Sequence, residues 1–244
     1  MKISIITVTY NAEENISDCL NSIELQTYKN VESIVVDGNS TDGTPELVKK
    51  HGVAKFVSEP DEGIYDAMNK GLDMATGDIV GFLNADDIFY DNQVLEHIAE
   101  AFTIEDISAC YGNLVFVEKS GGIVRKWISK DFEKGAFAKS WTPAHPTFYC
   151  RKDLYEKYGR YRTDFKIAAD VELMYRFLEI NSIKSRFLNR FLVRMKTGGV
   201  STRGLVSTFI ITKEMLTAFK ELSGSYNVVK YLFYKACKIK EYFI

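Results

Sequence analysis

The sequence of 244 residues lacks several features that would identify common classes of protein. Its 31 basic and 33 acidic residues leave a net charge near −2, whereas a nucleic-acid-binding protein would need a basic face. No apolar run approaches the about 20 residues that a membrane-spanning helix takes. No signal peptide precedes the first apolar segment. We therefore expect a cytoplasmic protein that binds no nucleic acid.

Cysteine and histidine are also scarce. The four cysteines show no metal-ligand spacing, so reduced structural thiols are the expected state in a cytoplasmic protein. A glycine-rich phosphate loop is missing after the first apolar run, where residues 10–14 read Tyr-Asn-Ala-Glu-Glu. Its absence argues against a dinucleotide-dependent dehydrogenase.

The first part of the chain alternates apolar strands with helices. Four runs rich in β-branched residues predict strands at 3–10, 31–36, 54–58 and 79–83, and helices are predicted to open near Asn11, Pro45 and Ile64. Such alternation is typical of a mostly parallel sheet with helices on both faces. In these sheets, ligands bind outside the carboxyl ends of the strands.

Two adjacent carboxylates, Asp86 and Asp87, end the fourth predicted strand. Two acids in a dry site repel each other, and a divalent cation with a preference for oxygen ligands, Mg²⁺ or Mn²⁺, relieves that cost. The simpler interpretation is a solvated turn with Asp87 capping the next helix. Asn11 and Asp37 end two other strands, so three strands bring polar groups to one crevice, and this convergence favours the metal site.

Four segments together resemble the signature motifs of family-two glycosyltransferases, in matching order and spacing. They are residues 7–11, 36–43, 66–71 and 84–87, and the resemblance covers roughly the first 180 residues. It implies the α/β nucleotide-sugar transferase fold known as GT-A, a nucleotide-diphosphate sugar donor, a divalent cation and inversion at the anomeric carbon. The implied acceptor is a hydroxyl of a glycan or a lipid-linked glycan.

Two positions depart from the family pattern. Asn84 occupies the first acidic position of the last motif, where it can bind a ribose hydroxyl but is a poor metal ligand, so metal binding shifts to Asp86 and above all Asp87. Many members carry two acids after the second strand, where this chain has Asp37-Gly38, and the nucleobase therefore stays open. The predicted donor-binding residues are Thr9, Asn11, Asp37, Asp66, Asn84 and Asp86, with His145 as a further substrate-binding candidate.

Asp170 is the predicted general base, a role that the resemblance assigns to the acid at the start of this helix. Inverting transfer needs a base within hydrogen-bond reach of the incoming hydroxyl. The competing interpretation is that Asp170 is only the helix N-cap, although position 173 holds Leu and no capping box forms. Glu172 is the second choice for the base. His145 stands between two prolines, whose constraint on the backbone suits a side chain held at a site, and an ordinary loop histidine is the alternative.

The family motifs end near residue 200, so we expect a catalytic domain at 1–200 and a helical extension at 201–244. Helices are predicted at 205–222 and 228–243. The second has an apolar side (Val229, Leu232, Phe233, Ala236, Phe243) and a basic side (Lys230, Lys235, Lys238, Lys240). A basic amphipathic helix can lie on the anionic inner face of a membrane. The alternative is packing against the domain or in a homodimer.

Two other functions stay open. The chain could be a nucleotide-sugar binding module without turnover, because Asn84 weakens the acidic motif. It could also be a nucleotidyltransferase of similar architecture, although such an enzyme would be expected to carry the missing glycine-rich loop. The sugar, acceptor and linkage depend on loop shape and are not readable from the motifs.

Overall fold

The computed structural model describes residues 1–197, 205–224 and 227–238. Within these ranges the strands are β1 (Ile3–Thr9), β2 (Val31–Asp37), β3 (Lys55–Ser58), β4 (Ile79–Phe82), β5 (Ile88–Phe89), β6 (Ala109–Val117), β7 (Ile123–Trp127), β8 (Tyr149–Arg151) and β9 (Ser185–Lys196). The helices are α1 (Ile16–Glu24), α2 (Thr44–His51), α3 (Ile64–Met74), α4 (Val94–Ala101), α5 (Asp153–Tyr158), α6 (Ala169–Tyr175), α7 (Leu205–Ser223) and α8 (Val228–Lys238). Short 3₁₀ turns occupy Phe137–Lys139 and His145–Thr147.

All the described strands belong to one sheet in the order β3-β2-β1-β4-β8-β6-β9-β5, with β7 paired to β6. The first four neighbours are parallel, with Thr9 opposite Asp37 and Ile6 opposite Phe82. Beyond β4 the pairing is mixed, because β8 runs antiparallel to both β4 and β6 while β9 runs parallel to β6. The carboxyl ends of β1, β2 and β4 therefore meet at one edge, as the alternation predicted.

The two faces of the sheet carry separate hydrophobic cores. Along β1, Ile3 and Ile5 pack into one core while Ile6 and Val8 pack into the other, as the two-residue period of a strand requires. Helices α1, α2 and α4 contribute to the first core, and α3, α6 and α7 contribute to the second. The predicted arrangement of helices on both faces is confirmed.

The first helix begins later than the sequence pattern predicted, at Ile16 and not at Asn11. Asn11 has a left-handed backbone with φ of 49°, which asparagine tolerates better than most residues and which ends β1 in a sharp turn. The next backbone amides bond to a neighbouring loop instead of starting a helix, with the Ala12 N–H donating to Thr44 Oγ1 at 2.8 Å. The turn thus exposes a polar loop at the end of β1.

The C-terminal helices pack on the second face of the sheet. Phe219 of α7 makes an edge-to-face contact with Tyr175 of α6, with ring centroids 4.8 Å apart. The predicted domain boundary at residue 200 lies outside the described residues, as do Lys240 and Phe243. No helix in the described part of the chain is long and apolar enough to cross a membrane.

Candidate active site

Buried polar atoms without partners mark the shared edge of β1 and β4. Thr9 Oγ1, Asn84 Oδ1 and both carboxylate oxygens of Asp87 are buried and have no hydrogen-bond partner. Leaving such a group unpaired costs roughly 1–3 kcal/mol, and more for a charge. Native proteins pair nearly all buried polar groups, so a cluster of unpaired ones indicates a place where a ligand completes the bonding.

The turn at 84–87 holds the two acids in different environments. Asp87 is fully buried while Asp86 is partly exposed. Burial raises the pKa of the Asp86 carboxyl, and burial together with the charge of Asp86 raises the pKa of Asp87 well above its usual range. The charge of Lys196 at the end of β9 opposes both shifts. The interpretation of Asp87 as a solvated cap is wrong, because Asp87 is buried and α4 begins only at Val94.

These residues fit a divalent cation of the Mg²⁺ type. Among the described residues no three His, Cys, Asp or Glu side chains cluster as a metal site, so the protein would supply one or two carboxylates. That number is typical of Mg²⁺ sites in which substrate phosphates and water complete the shell. The unpaired oxygens of Asp87 and the crowding of two acids are the structural observations that favour such a cation.

A second part of the edge is built from two loops that are bonded together. Asn11 Oδ1 accepts from the Thr41 N–H at 2.8 Å, and the Asn11 N–H donates to Ser40 Oγ at 2.7 Å. Asp37 accepts from the Ser40 N–H at 2.9 Å and from the Ser58 hydroxyl at 2.6 Å. Asn11 and Asp37 are therefore brought together as predicted, but the structure shows them holding the loops in place, and Asp37 is fully buried.

Two residues that the sequence analysis missed stand beside these loops. A side chain at position 38 would collide with Asp61, because an ideal Cβ on Gly38 would lie 2.6 Å from Asp61 Oδ2 and 3.5 Å from the ring of Tyr10. Asp61 therefore places its carboxylate in the space that a side chain at position 38 would occupy. Tyr10 is an exposed aromatic ring directly after β1. The sequence offered one signal for Tyr10, which is an aromatic residue at the end of a predicted strand. No local pattern pointed to Asp61.

Asp66 lies in the first turn of α3, next to the loop that carries Asp61. Its carboxylate accepts from the Glu62 N–H at 3.1 Å and lies 3.3 Å from Lys70 Nζ, which also pairs with Glu59 at 3.0 Å. In this structure Asp66 braces the loop between β3 and α3.

Asp170 lies in the first turn of α6, held by residues distant in sequence. The hydroxyl of Tyr65 lies 2.5 Å from the Ile167 carbonyl and 3.3 Å from Asp170 Oδ1. Burial, with the charge of Asp170 second, raises the pKa of Tyr65 well above its usual range, so Tyr65 stays a hydrogen-bond donor. Glu214 of α7 accepts from three backbone N–H groups just before the helix, Lys166 at 2.7 Å, Ile167 at 3.1 Å and Ala168 at 2.9 Å.

This geometry excludes two interpretations that competed with Asp170 as the general base. The helix N-cap is Ala168 and Asp170 makes no capping bond, so the N-cap interpretation is wrong. Glu172, the second choice for the base, is buried and forms a two-pronged pair with Arg176, with both N···O distances 2.9 Å. A carboxylate engaged in this way is not free to accept a proton from a substrate, so Glu172 is corrected to a structural role.

His145 joins the acidic turn to the neighbourhood of Asp170. Its ring stacks on Phe82, the last residue of β4, at a centroid distance of 5.8 Å, and its Nε2 lies 2.8 Å from the Tyr161 hydroxyl. The ring of Tyr161 stacks on Tyr65 at 5.9 Å. Burial lowers the pKa of His145 although the nearby Asp170 charge opposes this, so the imidazole is neutral at pH 7. His145 lies in the short turn before β8, as the loop-histidine alternative expected, and its ring is held between Phe82 and Tyr161.

Comparisons with known proteins bear on the family and the fold of the chain. The sequence pattern described as Glycosyl transferase family 2 matches residues 4–159. An uncharacterised glycosyltransferase of Mycobacterium tuberculosis H37Rv is 33% identical over 182 residues, which span 71% of this chain and 68% of that protein. A "PGL/p-HBAD biosynthesis glycosyltransferase" of Mycobacterium bovis BCG is 29% identical over 219 residues, spanning 87% of this chain and 82% of its own.

Solved structures show the same fold. TarS of S. aureus superposes with a TM-score of 0.68 at 20% identity, over 91% of this chain and 40% of its own. The mannosyltransferase PcManGT of Pyrobaculum calidifontis, solved with GDP-Man and Mn²⁺, gives 0.67 at 22% identity, over 93% of this chain and 65% of its own. This chain thus spans less than half of TarS, and likeness at these identities establishes the GT-A fold alone. With the family match over most of its length, the chain belongs to glycosyl transferase family 2.

Proposed function

We propose that this protein is an inverting glycosyltransferase that moves a sugar from a nucleotide-diphosphate donor to a hydroxyl of a glycan or lipid-linked acceptor. The observation that carries the proposal is that His145 connects two unlike groups of polar side chains. Its ring contacts Phe82 at the end of β4, beside the unpaired buried atoms of Thr9, Asn84 and Asp87, and its pKa, which burial lowers, responds to the charge of Asp170 in α6. The first suits a polar, charged donor, and the second suits removal of a proton from an acceptor.

The nucleotide half of the donor would lie against the two bonded loops. An exposed ring such as Tyr10 can stack on a nucleobase, and the Asp61 carboxylate over Gly38 can accept a hydrogen bond from a base N–H. Asp37 stabilises the loops of this pocket by accepting hydrogen bonds from Ser40 and Ser58. Solved neighbours hold UDP-GlcNAc in one case and GDP-Man in another, so either base class fits the fold. Asn84 is proposed to bind the ribose.

The diphosphate would lie at the acidic turn. Asp87, whose two carboxylate oxygens have no partner, is proposed as the main ligand of a divalent cation, with the partly exposed Asp86 as the second. When bound, such a cation would neutralise charge on the diphosphate leaving group. The mannosyltransferase neighbour was solved with Mn²⁺, which agrees with this assignment.

Asp170 would perform the proton transfer. Its carboxylate takes the proton of the acceptor hydroxyl while that oxygen forms a bond to the anomeric carbon, and the bond from that carbon to the diphosphate oxygen breaks. Attack from the face opposite the leaving group inverts the anomeric centre. Tyr65 donates its hydroxyl proton to the Ile167 carbonyl and lies 3.3 Å from Asp170 Oδ1, so it is proposed to hold the turn that positions the carboxylate. His145 is proposed to line the acceptor side, where its neutral ring avoids competing with Asp170 for the proton.

The direct test is titration of the purified protein with nucleoside diphosphates (UDP and GDP) in the presence of Mn²⁺ and again with excess EDTA. The proposal expects binding of one nucleotide that weakens at least tenfold on chelation, and the Asp86→Asn variant should behave like the chelated protein. Ser120→Ala in the exposed β6–β7 turn serves as the control. Equal affinity with and without EDTA would contradict the metal assignment, and donor binding without any turnover would favour an inactive binding module.

A further inference from the structure

The last helix turns its apolar side away from the protein. In α8, Tyr231 is buried against Phe219 with ring centroids 5.4 Å apart, and Lys235 Nζ donates to Thr212 Oγ1 of α7 at 2.7 Å. These contacts define the inner side of the helix. Val229 and Phe233 project from the opposite side and are 78% and 62% exposed. The helix therefore packs against the domain, as one alternative drawn from the sequence expected. It does so through Tyr231 and through Lys235, which the sequence pattern had placed on the basic side, and not through the predicted apolar side.

Helix α7 continues the same exposed surface. Phe209 is 71% exposed, and it lines an open groove of about 610 Å³ together with Leu216 of α7 and Val228 of α8. Lys213 and Lys220 also line this groove, about one and about three helical turns along from Phe209. We call this surface the α7–α8 face, defined by Phe209, Lys213, Leu216, Lys220, Val229 and Phe233. Exposed apolar area of this extent on one side of two helices indicates an interaction site.

The acidic and the basic side chains of α7 lie on different sides of the helix. Glu214 accepts from the backbone before α6, and Glu221 pairs with Arg162, so both acids of this helix face the catalytic domain. Lys213 and Lys220 form no ion pair within the described part of the chain, and the same holds for Lys230 of α8. The α7–α8 face thus combines large apolar side chains with unpaired positive charge.

We propose that the α7–α8 face docks on an anionic lipid bilayer. Apolar side chains enter the boundary between headgroups and acyl chains, while lysines at the same level meet anionic headgroups. A second copy of the chain is a poorer occupant, because a two-fold contact would bring the same lysines of both copies together without an acid between them. The surface therefore matches an anionic membrane in both its apolar and its electrostatic character.

Docking of this face would also place the active site at the membrane. Glu214 of α7 holds the backbone at 166–168, which leads directly to Asp170. The helix that meets the lipid is thus bonded to the loop that carries the proposed base. This consequence rests on the proposed function and fits a lipid-linked acceptor at the inner face of a membrane, whereas the docking itself does not depend on catalysis.

The test is co-sedimentation of the full chain with two kinds of vesicle. One kind contains phosphatidylcholine alone, and the other contains phosphatidylcholine with about 30% phosphatidylglycerol, an anionic lipid. We expect binding to the anionic vesicles that weakens with salt, and little binding to the neutral ones. Val229→Ser/Phe233→Ser should lose at least tenfold in affinity. The matched control is Ile123→Ser/Val124→Ser on β7, where the native side chains are 47% and 55% exposed, and it should bind as the parent does.

A second pair of variants tests the charges. Lys213→Glu/Lys220→Glu should lose binding by more than about 25-fold, on the basis of about fivefold for each lysine near an anionic surface. Lys49→Glu/Lys50→Glu on exposed α2 changes the net charge equally and should have little effect. Equal binding to neutral vesicles, no binding to either kind, or a dimer that Val229→Ser/Phe233→Ser separates would each overturn the proposal. Nucleotide affinity measured on the same variants distinguishes this failure from failure of the proposed function.

Discussion

Replacing Glu214 by glutamine removes the charge from a side chain that bonds three consecutive backbone amides ahead of α6. The three N···O distances are 2.7, 3.1 and 2.9 Å, within the range of strong charge-assisted bonds. Glutamine keeps one acceptor oxygen but loses the charge and the second acceptor. Hydrogen bonds to a charged group contribute about 1.5–3 kcal/mol each, and water can replace part of this at a partly exposed site. We therefore expect Glu214→Gln to lower the free energy of unfolding by roughly 1–3 kcal/mol.

The same change should slow transfer without weakening donor binding. The bonded amides precede Asp170 by only a few residues, so a looser loop displaces the carboxylate from the acceptor hydroxyl. Small misplacements of a reacting group cost up to about 100-fold in rate. We expect kcat to fall by about tenfold or more. The dissociation constant for the nucleotide should stay within about twofold of the parent value.

The matched control is Glu221→Gln, the same substitution two turns along the same helix. Glu221 pairs with Arg162 at the surface, and such exposed pairs contribute about 0–1 kcal/mol. The assays are urea unfolding and steady-state kinetics on both variants, with Glu214→Asp as the conservative change expected to recover part of kcat. A Glu214→Gln protein with parental kcat, or one whose loss of rate is matched by Glu221→Gln, would refute the idea that Glu214 positions the base.

Three further predictions follow from individual side chains. Burial alone would raise the pKa of Glu32, but hydrogen bonds, chiefly from Lys2, hold it at about 2 against an ordinary 4.5. Its ionised form therefore stabilises the fold by roughly 3 kcal/mol above pH 4.5. This contribution is lost as the pH falls toward 2, so the unfolding free energies of the parent and Glu32→Gln should converge there and differ at pH 7. Tyr65→Phe removes the bond to the Ile167 carbonyl and so loosens the turn before Asp170, which should lower kcat about threefold to tenfold, with donor affinity unchanged in the same titration. Asp37→Ala should weaken nucleotide binding more than it lowers kcat at saturating donor, and unchanged affinity with a large loss of turnover would contradict its role under the nucleotide pocket.

The sequence was informative where function depends on strand ends. The apolar runs before Asn11, Asp37 and Asp86 located the sheet edge, because a two-residue burial pattern and a parallel topology are both written in local order. The acidic turn and the helix that begins at Ala169 could be placed in the same way. The roles of these residues could be inferred from the sequence only where they depend on residues close by in the chain.

The contacts that define the site come from residues far apart in the chain. Tyr65 and Glu214 lie 105 and 46 residues from the positions that they hold near α6, and no local pattern predicts such pairs. Glu172 stayed the second choice for the base until its pairing with Arg176 was visible. In α8 both Tyr231 and Phe233 are aromatic, so composition could not tell which side packs inward.

The central claim is that Asp170 accepts the proton from the acceptor, and substitution by asparagine tests it most directly. Asparagine keeps the shape and can still accept a hydrogen bond from Tyr65, but it cannot act as a base. The measurement is the transfer rate of purified Asp170→Asn, with nucleotide affinity and melting temperature on the same sample and Asp164→Asn as an exposed control. The account predicts a loss of transfer of about a hundredfold or more with affinity and melting temperature unchanged, whereas a near-parental transfer rate would contradict it.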